Sequence, residues 1–231
     1  MSTRALKHAP PRRQRGAALL IMLTMLILGA AALAMHAFSG AGALTRESQA
    51  RQALGEAREA LIGYAALHGR LPRPSPSAAS GVEAPTPCDS EQRCTGFLPW
   101  ATLGLGPVYA RGKPLRYSVT PAFSHAGARF ALAVATKTIA ARNGAQLFYM
   151  AGSGAGCNRV TQCLPAVIIA SGKYQGLTTG ADQLANDTAT THFIQGPRGD
   201  DETVVGGPFD DMLVGVPYEV LLRRMSATGM L

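Results

Sequence analysis

Four cysteines stand in two pairs, Cys88 with Cys94 and Cys157 with Cys163, each with five residues between. Such pairs either oxidise to disulfides that staple a loop or supply thiolates to zinc, whose ligand spacing is usually about two to four residues. Eight of the fourteen acids lie between Asp182 and Glu219. Carboxylates of Asp200, Asp201, Asp210 and Asp211 are of the type that binds calcium, but their spacing is not that of an EF-hand, so a solvated acidic loop and a chain without cofactor are expected. The histidines His8, His36, His68, His125 and His192 have neither metal-ligand spacing nor a nucleophile motif beside them. Gly152-Ser153-Gly154-Ala155-Gly156 lacks the Lys-Ser/Thr ending of a phosphate loop and runs into Cys157, so it reads as a turn beside a bridge. A secreted hydrolase has no triad or metal site in its favour, and the chain is expected not to be an enzyme.

The elements that carry these residues follow from composition. The 231 residues are 47% hydrophobic and only 16% charged, so some segment must be unusually apolar. The net charge is +8, but Arg4, Lys7, Arg12, Arg13 and Arg15 fall in the first sixteen residues; the other seventeen bases against fourteen acids leave +3. The basic character is a property of the N-terminus, and no nucleic-acid partner is expected. From Ala17 to Phe38 there is no charged residue. As a helix this run is about 33 Å long, enough for a hydrocarbon core of about 30 Å, and the bases before it place the N-terminus in the cytoplasm. The sequence thus predicts a single-pass span of the inner membrane, with everything after about residue 40 exported into an oxidising compartment that favours disulfides over zinc. Two plain alternatives are a cleaved signal peptide, with Ala41-Gly42-Ala43 as its site, and an uncleaved anchor holding a periplasmic binding domain.

Arg13-Gln14-Arg15-Gly16 stands directly against Ala17-Ala18-Leu19-Leu20-Ile21. A basic leader ending in Gly, with the apolar helix starting on the next residue, resembles the type IV prepilin leader. The resemblance implies cleavage after Gly16 by prepilin peptidase, N-methylation of Ala17, and retention of the apolar helix on the mature chain. It also implies other pilin or pseudopilin subunits, an inner-membrane assembly platform and the lipid bilayer as partners. The fifth mature residue of such proteins is usually Glu, which neutralises a neighbour's α-amine in the filament core; here it is Ile21. In this the chain is similar to K-type minor pseudopilins and some minor pilins, which are placed at or near a filament tip.

From Leu44 to His68 the chain has no proline and is rich in Ala, Leu, Glu, Arg and Gln. Leu54, Ala57, Leu61, Tyr64 and Ala65 follow the three-four spacing of one helix face, and Gly69 with Pro72 ends the helix. The run Ala53 to Ala65, the turn Gly69-Arg70-Leu71-Pro72, and Gly96-Phe97-Leu98-Pro99-Trp100-Ala101-Thr102-Leu103-Gly104-Leu105, continued by 112–119, resemble a group of prepilin-type proteins. Arg73 stands where that resemblance implies a cysteine.

Beyond this, 73–95 reads as a Pro-, Ser-, Ala- and Gly-rich loop. Strands are expected at 115–119, 130–136, 146–150 and 166–170, a helical turn or bent connection at 137–145, an extended segment at 209–213, and a closing helix at 217–225. The expected architecture is α+β and pilin-like. A leader (1–16) precedes a transmembrane and stalk helix (17–69), and a periplasmic head (70–231) carries an antiparallel sheet and disulfide-stapled loops, giving a lollipop. The expected function is a structural subunit, of minor type, in a type IV pilus or type II secretion pseudopilus.

Overall fold

A computed structural model describes residues 15–159, 161–172 and 180–230, the side chains of 15–18 and 32–44 excepted. The chain divides into two units, Met1–Thr45 and Arg46–Leu231.

Helix α1 runs from Arg15 to His68, 54 residues without a break. Gly69 stops it by taking φ +67, a value open to glycine at little cost. In the first unit, the α1 side chains from Leu19 to Leu28 are apolar all round the helix, apart from Thr24, whose hydroxyl donates to the Ile21 carbonyl at 2.9 Å. The α+β composition matches expectation, but the transmembrane part of the fold does not. Among the described residues no helix is long and apolar enough to cross a membrane. The lollipop built on a spanning helix is corrected accordingly.

In the second unit, Ala50, Leu54, Ala57, Leu61 and Ala65 make the buried face of α1. Three of the five are alanines, so the helix can approach its sheet closely. The strands follow as β1 (Thr95–Phe97), the ribbon β2 (Tyr109–Ala110) with β3 (Lys113–Pro114), β4 (Arg116–Val119), β5 (Thr138–Asn143), β6 (Gln146–Ala151) and β7 (Ala166–Ala170). Helix α2 (Ala181–Thr188), β8 (His192–Gln195), β9 (Met212–Val216) and α3 (Tyr218–Ala227) complete the order. The main sheet is β1-β4-β7-β9, antiparallel throughout. A second sheet, β6-β5-β8, joins an antiparallel hairpin to a parallel pair, β5 with β8, which a purely antiparallel head does not contain.

Strand β7 is buried at all five positions and alternates between two cores. Ala166, Ile168 and Ala170 join the cluster that holds the α1 face, Tyr117, Val119, Met212, Leu221 and Met225. Val167 and Ile169 join Ile139, Leu164 and Phe193 on the other side. The period-two geometry of a strand therefore sets three layers: α1, the main sheet, and the second sheet.

Two expected elements differ. Residues 130–136 form no strand: Phe130 instead stacks on Phe123 at 4.9 Å and accepts, through its carbonyl, the Tyr218 hydroxyl at 3.0 Å. Residues 138–143, expected as a turn, are β5, the central strand of the second sheet.

Leu61 sits fully buried at the centre of the α1 face. Leu61→Ala should lower stability by about 2–4 kcal/mol with an unchanged fold, as read by urea denaturation followed by circular dichroism.

Candidate functional site

Residues 1–14 of the leader lie outside the described residues; Gly16 and Ala17 fall in the first turn of α1, and their surroundings are likewise outside them. Ile21, the fifth residue after the cleavage position the resemblance implies, is 58% exposed within an apolar stretch whose large side chains are all 51–77% exposed.

Both cysteine pairs are disulfides, Cys88–Cys94 and Cys157–Cys163. The first loop also positions Glu91, whose carboxylate accepts from the Thr136 hydroxyl at 2.6 Å and pairs with Lys137. Lys137 is fully buried and donates further to the Thr190 carbonyl at 2.6 Å. Burial pushes its pKa down while Glu91 pulls it back up. A small bridge-closed loop contributes little chain entropy; here it carries the counter-ion of a buried lysine. The Gly152–Gly156 run is a turn beside the second bridge, with Ser153 accepting at its hydroxyl from Ala155 N at 3.1 Å.

The turn after α1 centres on Glu83. Its carboxylate accepts from Arg70 at 2.6 and 2.8 Å, from Arg73 Nε at 3.2 Å and backbone N at 3.0 Å, and from the Tyr64 hydroxyl at 3.3 Å. Arg70 lies over the Tyr64 ring at 5.5 Å, and the His68 ring stacks on the Tyr64 ring with centroids 4.0 Å apart. Burial raises the Glu83 pKa, but the arginine and backbone hydrogen bonds outweigh it and hold the carboxyl at about 2. Arg73, where the resemblance implied a cysteine, thus tethers the 73–95 loop by an ion pair, and donates to the Pro85 carbonyl at 3.0 Å. Trp100 closes the same loop: its indole N–H donates to the Ala78 carbonyl at 3.0 Å, and it lies so close to Gly81, at φ +58, that a Cβ there would sit 2.2 Å from the ring.

The four calcium candidates are not brought into one site. Asp210 pairs with Arg111 at 2.9 Å, and the Arg111 backbone has φ +54. Asp211 is buried and accepts from Gly172 N at 2.7 Å and from Asn186 Nδ2 at 3.2 Å. Burial pushes its pKa up to about 6. Asp201 accepts from the Thr203 hydroxyl and N–H at 2.6 and 2.8 Å, and Asp200 is exposed. Among the described residues no group of three or more His, Cys, Asp or Glu side chains is placed to hold a metal. Among the histidines, His192 Nδ1 meets the Thr138 hydroxyl at 2.9 Å, a contact between register neighbours of β5 and β8.

A feature not foreseen from sequence is a groove of about 450 Å³ along the free edge of β9. It is lined by Leu54 of α1, Met212 and Leu213 of β9, Met150 of β6, and the arginines Arg51, Arg58 and Arg198. Glu47 bridges Arg51, at 2.5 Å, and Arg198, and Arg58 pairs with Glu59 at 3.2 Å. The signal in sequence was the arginine spacing of 51 and 58, two turns apart on one helix side, with no acid between them on that side.

No family model, curated protein or solved structure matches the chain.

Glu83 has its folded pKa below the unfolded value near 4.3, so the stability it contributes is present above that value and is lost as pH falls towards 2. Asp211 has its folded pKa above the unfolded value near 3.9, so its contribution is lost as pH rises from about 4 to about 6. The melting temperature should therefore peak near pH 4–5 as far as these two groups are concerned. Glu83→Gln should flatten the acid side and cost about 1–3 kcal/mol at neutral pH by leaving the arginines unpaired. Millimolar calcium should leave the melting temperature unchanged, since Asp210 and Asp211 are already committed to Arg111 and to Gly172 with Asn186.

Proposed function

We propose that the protein is a structural, non-enzymatic subunit of a type IV pilus or type II secretion pseudopilus, cut after Gly16 by prepilin peptidase and methylated on Ala17. The observation that carries this reading is the junction of Arg13-Gln14-Arg15-Gly16 with an apolar helix that begins at once. Cleavage there removes the charges and keeps the helix, which makes sense only when the helix itself does further work.

The exposed apolar side chains of α1 support the same reading. A helix that is apolar all round is stable when buried on all sides, and other subunits' helices in a filament core provide such burial. The Ile21 side chain suits that packing and leaves no carboxylate to neutralise a neighbour's α-amine, which points to a minor or initiating position. The two disulfides agree with a head that matures in the periplasm. Prepilin peptidase, the assembly platform at the inner membrane and other pilin-like subunits are the partners this reading calls for.

N-terminal sequencing of the protein from its host should return N-methyl-Ala17. Gly16→Leu should leave the leader in place and abolish filament incorporation while the two bridges still form. An intact Met1 in the wild type, or a start near Leu44, contradicts the reading.

A further inference from the structure

Lys137 is 0% exposed and sits where the two sheets of the second unit meet. It immediately precedes β5, and its backbone exchanges hydrogen bonds at 2.8 and 3.2 Å with Leu164, just ahead of β7. Its Nζ donates to the Thr190 carbonyl, which also accepts the Ser118 hydroxyl of β4 at 2.9 Å. Among the described residues Glu91 is the only charged group that acts on this ammonium. Glu91 is itself fixed by hydroxyls: Thr136 donates to its carboxylate at 2.6 Å, and Thr95 of β1 donates to its backbone carbonyl at 2.9 Å. The main sheet, the second sheet and the 88–94 loop therefore close on one ion pair.

The loop that brings Glu91 is tied down unevenly. Val119 N–H donates to the Cys94 carbonyl at 2.9 Å and fixes that end on β4, whereas the Cys88 end is tied through its sulfur. Asp89, Gln92 and Arg93 are exposed, and the Asp89–Arg93 pair is a surface one of a kind that contributes little. Inward, both cysteines are buried, with the Ser124 hydroxyl 3.3 Å from the Cys88 sulfur and 3.9 Å from that of Cys94. With the S–S bond open, the Cys88 end is released and the carboxylate loses its hold at Lys137. A lysine buried without its carboxylate is costly, so opening the bridge destabilises the junction of the sheets as well as the loop. The second pair is a contrast within the same chain. Cys163 adjoins Leu164 and so lies beside Lys137 too, but the residues between Cys157 and Cys163 include no acid. That bridge holds backbone and delivers no counter-ion.

We propose that the Cys88–Cys94 bridge is a redox gate on the burial of Lys137: the second unit packs its two sheets together fully only after oxidation has fixed Glu91 against the lysine. Closing the gate converts two thiols to one S–S bond. Their two electrons and two protons pass to a disulfide donor such as oxidised glutathione, which becomes two thiols. Once the gate is closed both cysteines are covered, so a reductant reaches the bond only when the loop opens and the ion pair parts. Linkage makes the effect reciprocal: the factor by which the bridge favours the pair is the factor by which the pair protects the bridge from reduction. The gate is a property of Arg46–Leu231, so it holds or fails whatever the N-terminus proves to be.

The test is a redox titration of the full chain in detergent, in glutathione buffers of graded ratio, with free thiols alkylated and each bridge read by peptide mass spectrometry. Lys137→Met and, separately, Glu91→Gln should each make Cys88–Cys94 at least about tenfold easier to reduce, and should leave Cys157–Cys163 within about twofold of the wild type. Circular dichroism of the oxidised variants checks that they fold. Urea unfolding read by Trp100, the single tryptophan, measures the same coupling from the other side. Cys88→Ser with Cys94→Ser should raise the unfolding constant at least about a hundredfold in the wild type, and by a factor about tenfold smaller in the Lys137→Met background. If the serine variant is too unstable to measure, the redox titration decides, because it keeps all four cysteines. Equal shifts at both bridges in a folded variant, or no shift at Cys88–Cys94, overturn the proposal. So does strict additivity of the cysteine and Lys137 substitutions, which would leave the bridge acting on its own loop alone.

Discussion

A five-residue strand with no solvent-facing side organises the second unit. Because side chains alternate along β7, Ala166, Ile168 and Ala170 must face one layer and Val167 and Ile169 the other. A slip of one residue would turn the small alanines away from α1 and set isoleucine and valine against its alanine face, so the register of β7 is specified from both sides at once. β4 and β9 flank it, α1 covers one side, and the hairpin β5–β6 with β8 covers the other. The layers follow from this single buried strand.

What the apolar cores do not reach is held by charge. Glu83 gathers Arg70 and Arg73, Glu91 meets Lys137, Asp182 meets Arg142, and Asp210 meets Arg111. The last three join segments at least 40 residues apart, and Glu83 ties its own loop back to the end of α1. Burying such pairs costs desolvation, so their net stability is small, but losing one partner strands a charge. That asymmetry makes them devices for fixing one loop arrangement over others. The Cys88–Cys94 bridge belongs to the same logic, since the loop it closes is the one that delivers Glu91 to a buried lysine.

Much of this was legible in the chain. The α1 face and its stop at Gly69, the strands near 115–119, 146–150 and 166–170, and the closing helix all follow from periodicity and turn residues. β5 was not, because Thr138-Ile139-Ala140-Ala141 suits helix and strand alike, and the pairing on both its edges decides. α2 escaped because it buries Asp182, Gln183 and Asn186 and exposes Leu184, the reverse of an apolar stripe. The membrane span was expected from an uncharged run, and among the described residues no helix is long and apolar enough to cross a membrane. The acids failed as a cluster for a related reason: Asp210 and Asp211 are neighbours in sequence, but one turns to Arg111, 99 residues away, and the other to Asn186. Nearness along the chain does not report which cation or amide lies across a fold.

The functional account depends on one chemical event, removal of a basic leader from a helix that the mature chain keeps. In the second unit the buried charges are spent on holding loops. The most direct measurement is the intact mass of the chain recovered from its host with and without prepilin peptidase. The account predicts a species beginning at a methylated Ala17 when the peptidase is present and a chain still carrying residues 1–16 when it is absent. Equal masses in the two backgrounds would contradict it.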